Sequence, residues 1–296
     1  FAENVAALPV YSGAKSASER FPGAVETFSI EALMPDGKAL QSGTSHDLGQ
    51  NFAKAYDIKF ADADQTIKYA YTTSWGISWR MLGALIMAHG DDRGLRIPPK
   101  LAPTQAVFIP IVRSGDDRAI EVCRELARKL TAAGFRVRVD ERDEQPGWKY
   151  SEWDLRGVPV RIEIGPRDVD AGTAVLARRD RSKGDDGQRQ SVALTELEPT
   201  LRRLLEEIQA SLYAQAREFL LERTIATTDR TEFLELCSTR AGMIDIPWCE
   251  RKECEAEVKR ATTATTRVVR ELQEGDVRCV ACGEPAKARA YFAQSY

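Results

Sequence analysis

The chain has 296 residues, 43% of them hydrophobic and 29% charged. That balance excludes a disordered chain, a collagen-like repeat and a disulfide-dense miniprotein, and at roughly 100–200 residues per domain the length suits about two domains. Lys and Arg number 42 against 45 Asp and Glu, a formal charge of −3; this does not exclude nucleic acid, because phosphates respond to a local basic face. No apolar run nears the roughly 20 residues that cross a bilayer. The longest apolar patch, Met81 to Ala88, runs into His89-Gly-Asp-Asp. The chain opens on Phe1 with no basic stretch followed by an apolar one, so no secretory signal is read there, and Phe1 is not expected to be the biological start.

Residues 1 to about 100 read as antiparallel strands followed by a helix. Glu26 to Ala32 alternates apolar and polar, Pro35-Asp36-Gly37 supplies a turn, and a second strand is expected through Ala39, Gln41 and Gly43. Ile67 to Thr73 predicts a third strand, broken by Ser74-Trp75-Gly76. Trp79, Leu82, Leu85, Ile86 and His89 then recur at helical spacing, ended by Gly90 and Gly94. Ile97 to Pro103 is a stiff linker with three prolines. From residue 105, strands and helices alternate: Val107–Ile111, a helix from Asp116 to Gly134, then strands at 136–140, 158–164 and 173–179. This predicts an α/β layer on a mostly parallel sheet. Ser182 to Gly187 reads as a hairpin or loop tip. A long helix over residues 196–223 carries a leucine stripe. The remainder is a small cysteine-bearing module, and no internal repeat is visible.

Four of the six cysteines form two knuckles, Cys249-x4-Cys254 and Cys279-x2-Cys282, with 24 residues between them. Thiolates at such spacings can close one zinc tetrahedron with no open position, a structural site. Two disulfides or four buried thiols are the alternatives. Cys123, on an apolar helix face, and Cys237, among leucines, read as packing. Of the two histidines, His46 lies in a cluster of small hydroxyl residues at a strand end. That cluster suits either a pocket for a small polar ligand or a helix-capping turn. His89 reads as a helix-end histidine favoured by the macrodipole. Arg80, in a first helical turn, opposes that dipole unless an anion binds beside it; a solvated arginine is the other reading. The two usual glycine-rich nucleotide-loop patterns are absent. Around Trp148, Lys149, Tyr150, Trp153 and Arg156, and again at Arg167-Asp168 and Arg178-Arg179, aromatic and basic residues interleave. This suits either stacking on unpaired RNA bases or a solvated charged surface with two core tryptophans.

Taken together, several segments resemble the prolyl-tRNA synthetases, in their archaeal and eukaryotic-like class IIa form. They are Gln41-Ser-Gly-Thr-Ser-His46-Asp-Leu-Gly-Gln-Asn-Phe52, Thr73-Ser-Trp-Gly-Ile-Ser-Trp-Arg80, His89-Gly-Asp-Asp-Arg-Gly-Leu-Arg-Ile-Pro-Pro99, Pro146-Gly-Trp-Lys149, Arg156 to Glu163, Gly165-Pro-Arg-Asp168 and the terminal Ser295-Tyr296. The resemblance covers the whole length in order. It implies a mixed α+β and α/β chain: residues 1–103 as the C-terminal part of a class II antiparallel-sheet catalytic domain, 104–200 as an α/β anticodon-binding domain, 201–225 as a connecting helix and 226–296 as a zinc-binding domain.

The implied activity is that of a proline–tRNA ligase. It activates proline with ATP and Mg2+ to prolyl-adenylate and transfers it to tRNA(Pro), in a cytoplasmic homodimer. The resemblance makes Arg80 the catalytic motif 3 arginine that meets ATP, with Gln41, Thr44 and Ser78 also on the ATP side. It assigns His46 and Trp75 to the proline pocket, and Lys149, Glu163, Arg167 and Asp168 to the anticodon. Cys249, Cys254, Cys279 and Cys282 become the structural zinc ligands, and the final tyrosine is expected near the active site. Arg80 and His46 are expected to converge on one cavity. Motifs 1 and 2 and the Thr-x-Glu loop are not found and are expected upstream of Phe1, so this stretch alone is expected to be inactive. The competing reading is a synthetase-derived tRNA-binding module that does no chemistry.

Overall fold

The computed structural model describes residues 1–112, 116–273 and 275–296. In chain order the elements are β1 (Tyr11–Ala14), β2 (Glu26–Leu33), β3 (Ala39–Gly49), α1 (Asn51–Ala55), β4 (Lys59–Ala61), β5 (Ile67–Tyr69), β6 (Thr72–Ile77) and α2 (Arg80–His89). Then come β7 (Ala106–Pro110), α3 (Arg118–Ala132), β8 (Val137–Val139), α4 (Pro146–Leu155), β9 (Val160–Ile164), α5 (Pro166–Ala171), β10 (Thr173–Arg178), β11 (Arg189–Ala193) and α6 (Leu197–Glu222). The last stretch holds β12 (Thr224–Ala226), α7 (Arg230–Ser238), β13 (Met243–Trp248), α8 (Lys252–Thr262), β14 (Thr265–Glu271) and β15 (Ala288–Ala293). The fold is mixed α/β and divides into two compact units: residues 1–8 with 88–216, and residues 9–87 with 217–296.

The first unit is built on a five-stranded sheet in the order β11-β10-β9-β7-β8. Alternation along β7 sets its layers. Phe108 joins Ile162 and Leu176 against the apolar stripes of α3 (Cys123, Leu130) and α6 (Leu201, Leu204, Ile208). Val107 and Ile109 face the other way, onto Trp153 of α4. Only β7 with β8 and β7 with β9 run parallel; β10 and β11 are antiparallel additions, so the sheet is mixed where the sequence suggested mostly parallel. His89 ends α2 as expected, but the macrodipole part of its reading is corrected. The ring is 2% exposed, bonds the Ala6 carbonyl through Nε2 at 3.0 Å, and has its pKa lowered by burial, so it is held neutral and gains nothing from the helix dipole.

The second unit is an eight-stranded sheet in the order β12-β13-β15-β14-β1-β2-β3-β6. β1 pairs antiparallel with both β2 and β14, so strands from near the two ends of the sequence share one sheet. Trp248, Phe292 and Ile246 pack with Phe233 of α7 and Val258 of α8. Leu33, Val268, Met243 and Tyr291 pack with Leu220 of α6. β3 runs on to Gly49, so His46 lies within a strand and not at its end. Ser74-Trp75-Gly76 belongs to β6 instead of breaking a strand. Both segments are rich in Ser, Thr and Gly because one sheet face there is polar, which hides the apolar alternation. The 35–37 turn is fixed by Gly37: its φ is +78°, and a Cβ there would stand 1.9 Å from the Arg240 carbonyl oxygen.

Candidate functional site

Strand register sorts the expected site residues by face. On β3, Thr44 stands across from Ser29 and Gly76, and His46 across from Thr27 and Ser74. Directly opposed residues share a face, so Thr27, Ser29, Thr44, His46 and Ser74 form one polar surface. Gln41 stands across from Glu31 and joins it. Trp75 is paired with Ser45, which is paired on its other side with Phe28, and this places Trp75 on the opposite face from His46.

The His46 ring is well oriented. Its Nδ1 is 3.0 Å from Thr27 Oγ1, and that hydroxyl also accepts the Phe21 amide at 3.2 Å. The Thr27 hydroxyl can donate to Nδ1 or accept from it, according to the ring tautomer, and in either case it fixes the orientation of the imidazole. Phe21 covers the imidazole at a centroid distance of 4.8 Å. Thr27, Ser29 and Glu31 look in sequence like the solvent side of an alternating strand; they are instead buried. Thr27 and Phe21 are therefore site residues that the pattern did not reveal.

A cleft of about 580 Å³ opens on the sheet and is lined by Ser12, Phe28, Ile30, Gly43, Thr44, Trp75 and Ile77 among others. Its lining carries no charged side chain and includes neither His46 nor Arg80, so the two groups expected to converge do not meet there. A triphosphate would find no counter-charge on these largely apolar walls, to which Ser29 and Thr44 of the polar surface also contribute.

Arg80 opens α2 with its side chain exposed. The Ser78 hydroxyl accepts the Arg80 amide at 3.3 Å and the Ser78 carbonyl accepts the Met81 amide at 3.0 Å, so Ser78 acts as the cap of this helix. No acidic residue lies in the first turn. A guanidinium at a bare helix start is an anion-seeking arrangement.

The four expected cysteines cluster, their sulfurs all lying within 4.8 Å of one another. Cys249 Sγ is 3.6 Å from Cys254 Sγ and 3.7 Å from Cys282 Sγ. Disulfide sulfurs stand about 2.0 Å apart, whereas sulfurs around one tetrahedral ion at about 2.3 Å stand about 3.8 Å apart. The spacing fits a shared metal ion and not disulfides, and all six cysteines are free thiols. Burial pushes the Cys254 and Cys279 thiols up to about 11. Cys123 and Cys237 are buried among apolar side chains, as their spacing predicted.

In the first unit the four expected anticodon residues differ in burial and in partners. Lys149 is 4% exposed and donates to the Asp140 carbonyl at 3.1 Å. Glu163 is 2% exposed and is held by Arg161 at 3.0 Å and by Arg189. Asp168 accepts the Gly165 amide at 2.8 Å and so caps α5. Arg167 alone is exposed. Trp148, which the sequence places in the aromatic–basic cluster but the resemblance does not assign to the anticodon, is 49% exposed with the Arg142 guanidinium 5.1 Å from its ring.

Residues 105–204 match the family model of an anticodon binding domain, and residues 230–296 match the model of the prolyl-tRNA synthetase C-terminal region. Over 297 residues the chain is 48% identical to the proline–tRNA ligase of Rubrobacter xylanophilus, covering 99% of this chain and 60% of that protein. The chain is similar along its whole length to prolyl-tRNA synthetases. It is also 44% identical over 298 residues to the proline–tRNA ligase of Lachnospira eligens, covering 100% of this chain and 61% of that one. A solved prolyl-tRNA synthetase from Cryptosporidium parvum, complexed with halofuginone and AMPPNP, superposes with a TM-score of 0.91 at 36% identity, over 99% of this chain and 61% of that one. The chain thus spans about three fifths of the length of the relatives it matches. No described helix is long and apolar enough to cross a membrane.

Proposed function

We propose that this chain supplies part of a proline–tRNA ligase that activates proline with ATP and transfers it to tRNA(Pro). The observation that carries the reading is the match along the whole chain to relatives named proline–tRNA ligase. The nucleotide analogue bound to the related Cryptosporidium enzyme supports an ATP site.

In this reading Gln41, Thr44 and Ser78 face ATP and His46 faces proline, its ring held at Nδ1 by Thr27. Arg80 is the catalytic cation, spreading charge on the phosphates as the proline carboxylate attacks the α-phosphorus. No general base is needed, since that nucleophile is already an anion. Mg2+ would neutralise phosphate charge. Trp75, on the other sheet face, shapes the proline pocket only from behind the strand. Residues 104–200 bind the anticodon, with Arg167 as the exposed contact and Lys149, Glu163 and Asp168 fixing the surface around it. Cys249, Cys254, Cys279 and Cys282 hold one structural zinc ion within residues 226–296, joined by the 201–225 helix. Residues 1–103 complete the catalytic sheet of a cytoplasmic homodimer.

The test is proline-dependent ATP–pyrophosphate exchange by the full-length protein. Arg80→Ala is expected to lower the exchange rate at least ~10²-fold, the usual cost of losing one transition-state charge contact. Near-normal exchange by that variant would reject the role of Arg80, and no exchange by the wild type would reject the activity.

A further inference from the structure

Among the described residues the eight-stranded sheet has three register shifts, and a buried charge cluster joins two of them, one on β3 beside β2 and one on β14. On β3 the partners run Ile30 with Gly43 and then Glu31 with Gln41, so Ser42 is an extra residue. On β14 they run Thr266 with Phe292 and then Val268 with Tyr291, so Arg267 is extra. The first bulge matters for the site. Gln41 and Thr44 are three residues apart, and a regular strand would send them to opposite faces. The extra residue returns both to the face of Glu31 and Ser29.

Arg267, released from pairing with β15, reaches across β1 to Glu31 with Nε at 3.1 Å and Nη2 at 2.9 Å from Oε2. Lys15 Nζ and Ser29 Oγ lie 2.8 and 3.1 Å from Oε1. Glu31 is 0% exposed, Arg267 4% and Lys15 5%. Two cations and a carboxylate buried together return little net stability, and register is the better-attested use of such a group.

We propose that Lys15, Glu31 and Arg267 are positioning residues that lock both bulges and thereby hold Gln41 on the same surface as Thr44. The proposal rests on the reading of these two residues as the ATP side. His46 lies beyond the bulge and is held separately by Thr27, so the proline side is independent of the cluster.

The experiment measures KM for ATP and for proline separately in pyrophosphate exchange by the full-length protein. Arg267→Met and Glu31→Gln are each expected to raise KM for ATP about tenfold and to leave KM for proline within about twofold. Arg267→Lys keeps the charge but loses the two-nitrogen grip, and folds more readily; about a threefold rise is expected for it. A purely structural role would reduce the amount of active enzyme, and so kcat, without separating the two KM values. Unchanged KM for ATP in Arg267→Lys and in either other variant, or an equal rise for both substrates, would overturn the proposal alone. Absence of exchange in the wild type would overturn the ligase reading and this proposal with it.

Discussion

Asp140, just after β8, ties three side chains of the first unit together. Its carboxylate accepts Arg142 Nε at 2.9 Å and Nη2 at 2.7 Å, and Trp153 Nε1 at 2.7 Å. The Arg142 guanidinium, helped by the Trp153 indole, holds its pKa down at about 2. A depressed carboxylate pKa contributes stability that is complete above the unfolded value near 4 and is lost as pH falls toward the folded value. Arg142 is itself 43% exposed, so solvent screening trims the gain. Asp140→Asn is expected to cost about 1–2 kcal/mol at neutral pH. Urea unfolding across acid pH should show this gap closing from about pH 5 downward; a pH-independent gap would assign the loss to packing instead. The strand ending at Asp140 is legible from its alternation, but its partner Trp153 is not, because the indole arrives from the following helix. The burial of His89 is hidden for the same reason: nothing local announces that the Ala6 carbonyl will meet its ring.

Among the elements, the 35–37 turn is the plainest case of sequence dictating form. Pro-Asp-Gly announces the turn; the close approach of Arg240 then makes glycine obligatory. Gly37→Ala combines a disfavoured φ with an unrelievable backbone clash and is expected to cost at least about 2 kcal/mol. A thermal shift within a degree of the wild type would contradict this. The polar face of β2, β3 and β6 was harder to read. Alternation of Thr27, Ser29 and Glu31 predicts a strand correctly but cannot say that its polar side is covered. The resemblance singled out Gln41, Thr44 and His46, yet only the bulge explains how residues spaced three and then two apart share a surface, and nothing in the letters marks Ser42 as the extra residue.

For the molecule as a whole, the cysteine spacing was the most informative pattern, since a C-x4-C and a C-x2-C leave few geometries. The sequence suggested an appended module; the structure continues its strands β14 and β15 into the sheet that carries the polar surface. Metal analysis is expected to find about one zinc per chain. Stripping it with a chelator is expected to unfold β13 to β15 and, through the pairing of Ala14 with Val269, to remove hydrogen-exchange protection from Tyr11–Ala14. Retained protection in β1 after metal loss would show that the two parts of the sheet stand independently. Such long-range pairing is invisible to local patterns, which is why the sequence divided the chain into consecutive pieces.

The ion pair of Glu31 with Arg267 spans 236 positions. At about 5–20 residues per second, a ribosome needs roughly 10–50 s to make the intervening chain. Throughout that interval the nascent β1 offers a bare hydrogen-bonding edge, and the carboxylate beside it must stay hydrated. Completion of this sheet is therefore timed by translation, and a chaperone that shelters one strand edge would have its longest task here.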